Sequence, residues 1–298
     1  MKKLLLLLAM IAMFVAACSN DIEINNQVNN NAELATVRVH VDGFSVTQEH
    51  FSGAETRATS DVADYNGVNA VTLAFYNGSI EVEKITQLKS DGSTYTTFGS
   101  FSLSLPMGSY TMVVLAYYTS AGNPLVLTSP TEAEFTGHSF ETLVATQAVT
   151  ISNTEAVDIS ATLNRIIAQL KVVSTDGKTA DVSNVRMTFS AGGKDFNPTT
   201  GFALTNTGFS NTVGNSAAVG ATSTSSSFLF LNTDEQDIDV TIETLDADGN
   251  TLFSKTIEDV PFQRNRVTKL TGAMYTNTGL AGTFQVTTDW ITEYPMGF

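Results

Sequence analysis

Cysteine is almost missing from this chain of 298 residues. The single one, Cys18, precedes every segment with a folding pattern, so no disulfide staples the fold, and thiol catalysis and thiolate metal sites have no place in it. Histidine is nearly as scarce. His40, His50 and His138 are scattered without metal-ligand spacing, so no metal or other cofactor is expected. Basic residues number 15 against 30 acidic, and the net charge of −15 repels phosphate backbones, which excludes nucleic acid as a partner. Charged residues of both signs make up only 15% of the chain, and no long amphipathic helix can be traced. Apolar residues at 42% are ample for hydrophobic cores, and length suggests about two domains. Ser, Thr, Asn and Gly dominate the remainder, a mixture suited to exposed sheet faces and turns.

No apolar run is long enough to span a bilayer as a helix. The longest, Leu4 to Val15, falls short of the roughly 20 residues required. Lys2 and Lys3 before it and Ala16-Ala17 after it make a signal peptide, residues 1–17. Val15-Ala16-Ala17-Cys18 resembles the lipobox of bacterial lipoproteins, which implies diacylation of Cys18 and cleavage before it. That cleavage removes two lysines and takes the charge from −15 to −17. Two acyl chains, at about 0.8 kcal/mol per buried methylene, suffice to hold a protein at the outer membrane. The Asn-rich stretch 18–31 has no periodicity and reads as a flexible tether. Its acidic residues resemble a Bacteroidetes surface-export signal.

From residue 32 the pattern changes to period two. Ala35, Val37, Val39 and Val41 alternate with Thr36, Arg38 and His40, a half-buried strand. Val71 to Tyr76 runs into Asn77-Gly78, a hairpin signal; Asp248-Gly249 joins two later strands in the same way. Many short strands with regular turns predict all-β sandwiches, divided near Asn164 into domains 32–163 and 164–298. Thr205 to Ser227, rich in small polar residues, reads as a long surface loop with at most a short strand inside. Phe284, Val286, Thr288 and Trp290 alternate again in a last strand. His50 to Val62 reads as an accessible loop whose one basic residue is Arg57.

Three segments together resemble the fimbrillin family of Bacteroidales, subunits of type V pili. They are Leu163-Asn164-Arg165-Ile166-Ile167-Ala168-Gln169-Leu170; Val260-Pro261-Phe262-Gln263-Arg264-Asn265-Arg266-Val267-Thr268 with Leu270-Thr271-Gly272; and Thr56-Arg57-Ala58-Thr59. The resemblance implies two transthyretin-like Greek-key β-sandwiches in tandem. It also implies a lipid-anchored precursor at the cell surface, cut by a trypsin-like protease between Arg57 and Ala58. The first strand (32–57) would then leave with the lipid, and a strand from another pilus subunit would fill its groove. A candidate donor is the C-terminal segment 282–298, including Phe284, Val286 and Trp290. The bland alternative for that segment is a permanent last strand of its own sandwich, and for Arg57 an incidental surface residue.

The function expected is therefore a structural and adhesive subunit of a fimbrium, with other subunits and surface ligands of host or bacteria as partners. A lipid-anchored basal or tip component is the nearest alternative. A carbohydrate-binding surface lipoprotein is another, weakened by the scarcity of aromatic platforms, and a lipid-anchored hydrolase is third. No enzyme signature supports the last. Asp246 to Asn250 lacks EF-hand spacing, and Gly192-Gly193-Lys194 lacks the Ser/Thr of a phosphate loop.

Overall fold

The computed structural model describes residues 33–49, 55–276 and 284–290. Cys18, the signal peptide and the tether lie outside them, as do His50, residues 277–283 and the tail 291–298. The described residues belong to one compact unit that starts at Glu33, and every regular element among them is a strand.

The first ten strands are β1 (Leu34–Glu49), β2 (Glu55–Ser60), β3 (Ala70–Asn77), β4 (Ile80–Leu88), β5 (Ser100–Pro106), β6 (Gly108–Tyr117), β7 (Leu125–Ser129), β8 (Glu132–Phe135), β9 (Thr142–Ile151) and β10 (Val157–Arg165). They form two facing layers. One has the order β5-β1-β10, with β2 on the far half of β1; the other has the order β4-β3-β6-β9. The layers are stitched at one corner, where Asn164 and Arg165 of β10 pair with Val144 and Leu143 of β9. Between them lies a core in which Val37, Val39 and Val41 meet Leu73, Phe75 and Met112. The uninterrupted apolar run of β3 follows from its position. Val71, Leu73 and Phe75 face this core, while Ala70, Ala74 and Tyr76 face another on the opposite side of the layer, as in any strand covered on both faces.

The remaining strands are β11 (Ala168–Ser174), β12 (Asn184–Phe189), β13 (Asp195–Phe196), β14 (Phe209–Gly214), β15 (Thr224–Leu229), β16 (Glu235–Leu245), β17 (Thr251–Gln263), β18 (Arg266–Gly272) and β19 (Gln285–Trp290). They repeat the arrangement. One layer has the order β15-β11-β18-β19 and the other β14-β12-β16-β17. In both halves the first strand pairs in parallel with a late one and antiparallel with another: β1 with β10 and β5, β11 with β18 and β15. A third core, containing Phe135, Phe196 and Phe230, draws side chains from both halves under the small sheet β13-β8-β7.

Turn chemistry follows the sequence. Gly78, at φ 62°, joins β3 to β4, and Gly249, at φ 85°, joins β16 to β17. Asp246 caps the second turn by accepting the backbone N–H groups of Asp248 and Asn250, so the faint calcium-loop motif is a hairpin. Two stretches differ from expectation. Thr205–Ser227 carries the short strand β14, which the expectation allowed, and also the start of β15, which it did not. In the β15 part the inward positions are Ser225 and Ser227, the latter accepting from Asn211 Nδ2 at 3.0 Å, so no apolar alternation announces it. Arg57 lies on β2, which pairs with β1, instead of in an open loop. The β-branched Thr56 and Thr59 sit opposite Gln48 and Ser45, and supply the strand preference that the surrounding Ser, Gly and Ala conceal.

Candidate functional site

The first half of β1 is inserted between two strands. Leu34 to His40 pair with Pro106 to Ser100 of β5 on one side, and Val37 to Val41 pair with Val157 to Ala161 of β10 on the other. Ala35, Val37, Val39 and Val41 are at most 1% exposed. The opposite face looks outward. Arg38 forms a surface ion pair with Asp158 at 3.1 Å, and His40 Nδ1 lies 2.9 Å from Ser100 Oγ. The segment thus plugs a groove whose floor is apolar and whose rims are backbone donors and acceptors. At Gly43, with φ 93°, the register to β10 shifts, and β1 leaves the groove as one arm of the hairpin with β2. In that hairpin Arg57 stands opposite Thr47, and β2 is the terminal strand of its layer.

Immediately beyond β2 the chain is anchored again. Val62 is buried in the first core, and Tyr65 reaches the boundary between the halves. There the Arg165 guanidinium donates to Glu141 Oε1 at 2.5 Å, to Asn265 Oδ1 at 3.0 Å and to Tyr65 Oη at 2.8 Å. The side chains of Arg165 and Glu141 are 4% and 0% exposed. Burial pushes the Glu141 carboxyl up, and Arg165 beside it works against that rise. Burial, and after it the charge of Glu141, also push up the Tyr65 hydroxyl. Asn265 holds its place through a left-handed backbone, φ 62°, and an N–H bond to Ile167 O. Two of the three sequence segments singled out above therefore meet in space at this boundary.

The C-terminal arm is fixed at its root. Asp176 accepts the backbone N–H groups of Met274, Tyr275 and Thr276, each at 2.8 Å, and these bonds hold its carboxyl below the usual range although partial burial alone would raise it. Tyr275 Oη is bonded in turn to Asn215 Nδ2 and Ser223. Further on, Phe284 rests on Gly272, where a Cβ would come within 2.8 Å of the ring, while Val286 is 38% exposed and β19 pairs, among the described residues, with β18 alone. The Trp290 side chain lies outside the described residues. Sequence reading overlooked Asp176 and Glu141. Asp176 reads only as a turn residue before Gly177 and Glu141 carries no signal, since the partners of both are remote in sequence.

A cavity of about 720 Å³ opens over the outer face of β1, lined by Arg38, His40, Tyr95 and Ser102. A second, of about 620 Å³, lies between β9 and β10, reaching Thr199 and Arg264 of the second half. His138 stands apart against Phe140, and burial lowers its pKa. Among the described residues no three His, Cys, Asp or Glu side chains gather as a metal site, and no helix is long and apolar enough to cross a membrane.

Comparison with known proteins returns no match among curated sequences. Among solved structures the chain is similar to a candidate adhesin from Bacteroides ovatus, with 13% identity, TM-score 0.48, and coverage of 82% of this chain and 87% of that one. A candidate cell adhesion protein from Bacteroides fragilis matches at 13% identity and TM-score 0.46, covering 88% and 99%. The fimbrial anchor protein Mfa2 from Porphyromonas gingivalis matches at 10% identity and TM-score 0.43, covering 85% and 95%. A family profile matches residues 29–295, and the chain belongs to that family, a family of unknown function designated DUF6562.

Proposed function

We propose that this protein is a structural and adhesive subunit of a cell-surface fimbrium, built as two tandem transthyretin-like sandwiches, 32–163 and 164–298. It would be exported as a lipoprotein anchored through Cys18, cut between Arg57 and Ala58 by a trypsin-like protease, and joined to the next subunit by strand replacement. The observation that carries the proposal is the seat of β1. A strand flanked on both sides and buried on one face leaves, when removed, two rows of unpaired backbone groups and an apolar trough. Such a trough strongly favours the addition of another strand. Full burial of the three valines alone is worth roughly 1.5–3 kcal/mol each, so an empty groove is a strong acceptor. Arg57 on a terminal strand is compatible with the cut, because proteases take their substrates extended and one side of β2 has no partner among the described residues. The C-terminal segment, whose strand β19 pairs with β18 alone among the described residues, is the candidate donor.

The test is limited digestion of the intact protein with a trypsin-like protease, followed by mass spectrometry and sizing. The first cut is expected after Arg57. Release of residues 18–57 should be followed by growth of polymers, and Arg57→Ala should block both. First cutting elsewhere with the 57–58 bond intact, or full release of β1 without association, refutes the proposal.

A further inference from the structure

The repeat of strand order leaves one position unmatched. In the second half, β18 carries β19 on the edge away from β11. In the first half, the equivalent strand β10 has β1 on one edge, and among the described residues its other edge between Val157 and Leu163 has no strand. The chain cannot supply one locally, because it passes from β10 through Ile166 and Ile167 straight into β11. The adjoining edge of β9 is also open beyond Val144.

The two flanks differ in how they are defended. On the second half, β17 presents Lys255, Glu258, Asp259 and Pro261, and β18 is covered. Charges and proline are the usual protection of an exposed edge. On the first half, β9 has no charged residue, and β10 from Val157 to Leu163 has only Asp158, which is paired with Arg38. Its inward residues Ile159, Ala161 and Leu163 are buried and its outward residues are polar, so an added strand would find a regular alternating ladder. The cavity between β9 and β10 would take that strand's inward side chains.

We propose that the free edge of β10 is a docking slot for the C-terminal strand, residues 284–290, of a second copy of the protein. The occupant is named by the chain itself, since β19 fills the same position on β18. Its six residues match the seven-residue free stretch of β10, and the arm is attached to its own subunit along one edge. The slot lies one strand away from the groove of β1 and needs no proteolysis. It would bring uncleaved subunits together with a donor strand already beside the groove.

The experiment uses the full chain carrying Arg57→Ala, so that β1 stays in place. Ser160, exposed on β10, is replaced by the photo-crosslinker p-benzoylphenylalanine, and a mixture of isotopically light and heavy protein is irradiated and mapped by mass spectrometry. The expected products join position 160 of one copy to residues 284–290 of another. Their yield should fall about tenfold in a Val286→Pro variant, because proline removes a ladder donor from the arm. Absence of inter-copy products, products joining 160 to 157–164 of the second copy, or a yield indifferent to Val286→Pro would each overturn the slot. None of these touches cleavage at Arg57 or replacement of β1, which fail by their own test.

Discussion

Replacing Arg165 with Met tests how the two halves are joined. The substitution removes a guanidinium that is 4% exposed and leaves the Glu141 carboxylate, 0% exposed, without its cation. Breaking a buried pair on one side costs about 3–5 kcal/mol, mostly the desolvation of the stranded charge. That is a large fraction of the roughly 5–15 kcal/mol that holds a typical fold. Removing both charges in Arg165→Met with Glu141→Leu takes away the stranded charge. What remains is the loss of donors to Asn265 Oδ1 and Tyr65 Oη, worth about 1–2 kcal/mol together. The double variant should therefore be more stable than Arg165→Met alone by about 2–3 kcal/mol, a coupling measurable by urea unfolding. With a slope near 3 kcal/mol/M, the single variant shifts the midpoint by about 1–1.7 M. The pH dependence is a second check. In Arg165→Met the carboxyl, raised by burial, should bind a proton in the folded state that the unfolded chain releases. Its share of stability is then full in acid and lost as pH rises through the folded pKa. A double variant no better than the single, with no change in pH dependence, would refute the view that the ion pair governs this boundary.

Two further predictions concern the C-terminal arm. The Asp176 carboxyl is held below its usual range, so its contribution is present above the unfolded pKa near 4 and is lost as pH falls through the folded value. The protection factors of amides 274–276, taken against the intrinsic rate at each pH, should fall in acid, and Asp176→Ala should abolish their protection at neutral pH at a cost of roughly 1–2 kcal/mol; unchanged protection would show that the carboxylate is idle. Gly272→Ala places a methyl against the Phe284 ring and should speed exchange along 285–290 while leaving β11 and β16 protected; equal exchange in both proteins would mean that Phe284 does not pin the arm.

What sequence could convey was the face of each strand, and what it could not convey was the partner. The alternation of Ala35, Val37, Val39 and Val41 foretold a buried face, and all four are buried. It said nothing of a parallel neighbour 120 residues away, where Arg38 meets Asp158. Asn77-Gly78 revealed its hairpin because a positive φ is a local demand that few residues meet. The boundary cluster was visible only as motifs. Tyr65, Arg165 and Asn265 are separated by 100 residues at each step, and no periodicity links them. The start of β15, Thr224 to Ser227, lay inside a stretch that reads as loop, because its inward side chains are hydroxyls such as Ser227, bonded to Asn211, instead of apolar groups.

If β1 leaves as proposed, the repeat would also explain why one strand of two equivalent ones is the one removed. β11 occupies in the second half the place that β1 occupies in the first, between an antiparallel and a parallel neighbour. It is covalently continuous at both ends with anchored structure: Arg165 and the buried Ile166 and Ile167 before it, Asp176 and its three amide bonds after it. Two cuts would be needed to free it. β1 is joined to the strands it pairs with only through Gly43 and the hairpin to β2, so a single cut after Arg57 separates it from β5 and β10 alike. What would stay behind is held by Val62 in the core and by Tyr65 on Arg165. On the proposed strand replacement, the same fold would be permanent in one half and openable in the other because of where the chain connects, with no difference in the packing of the two strands required.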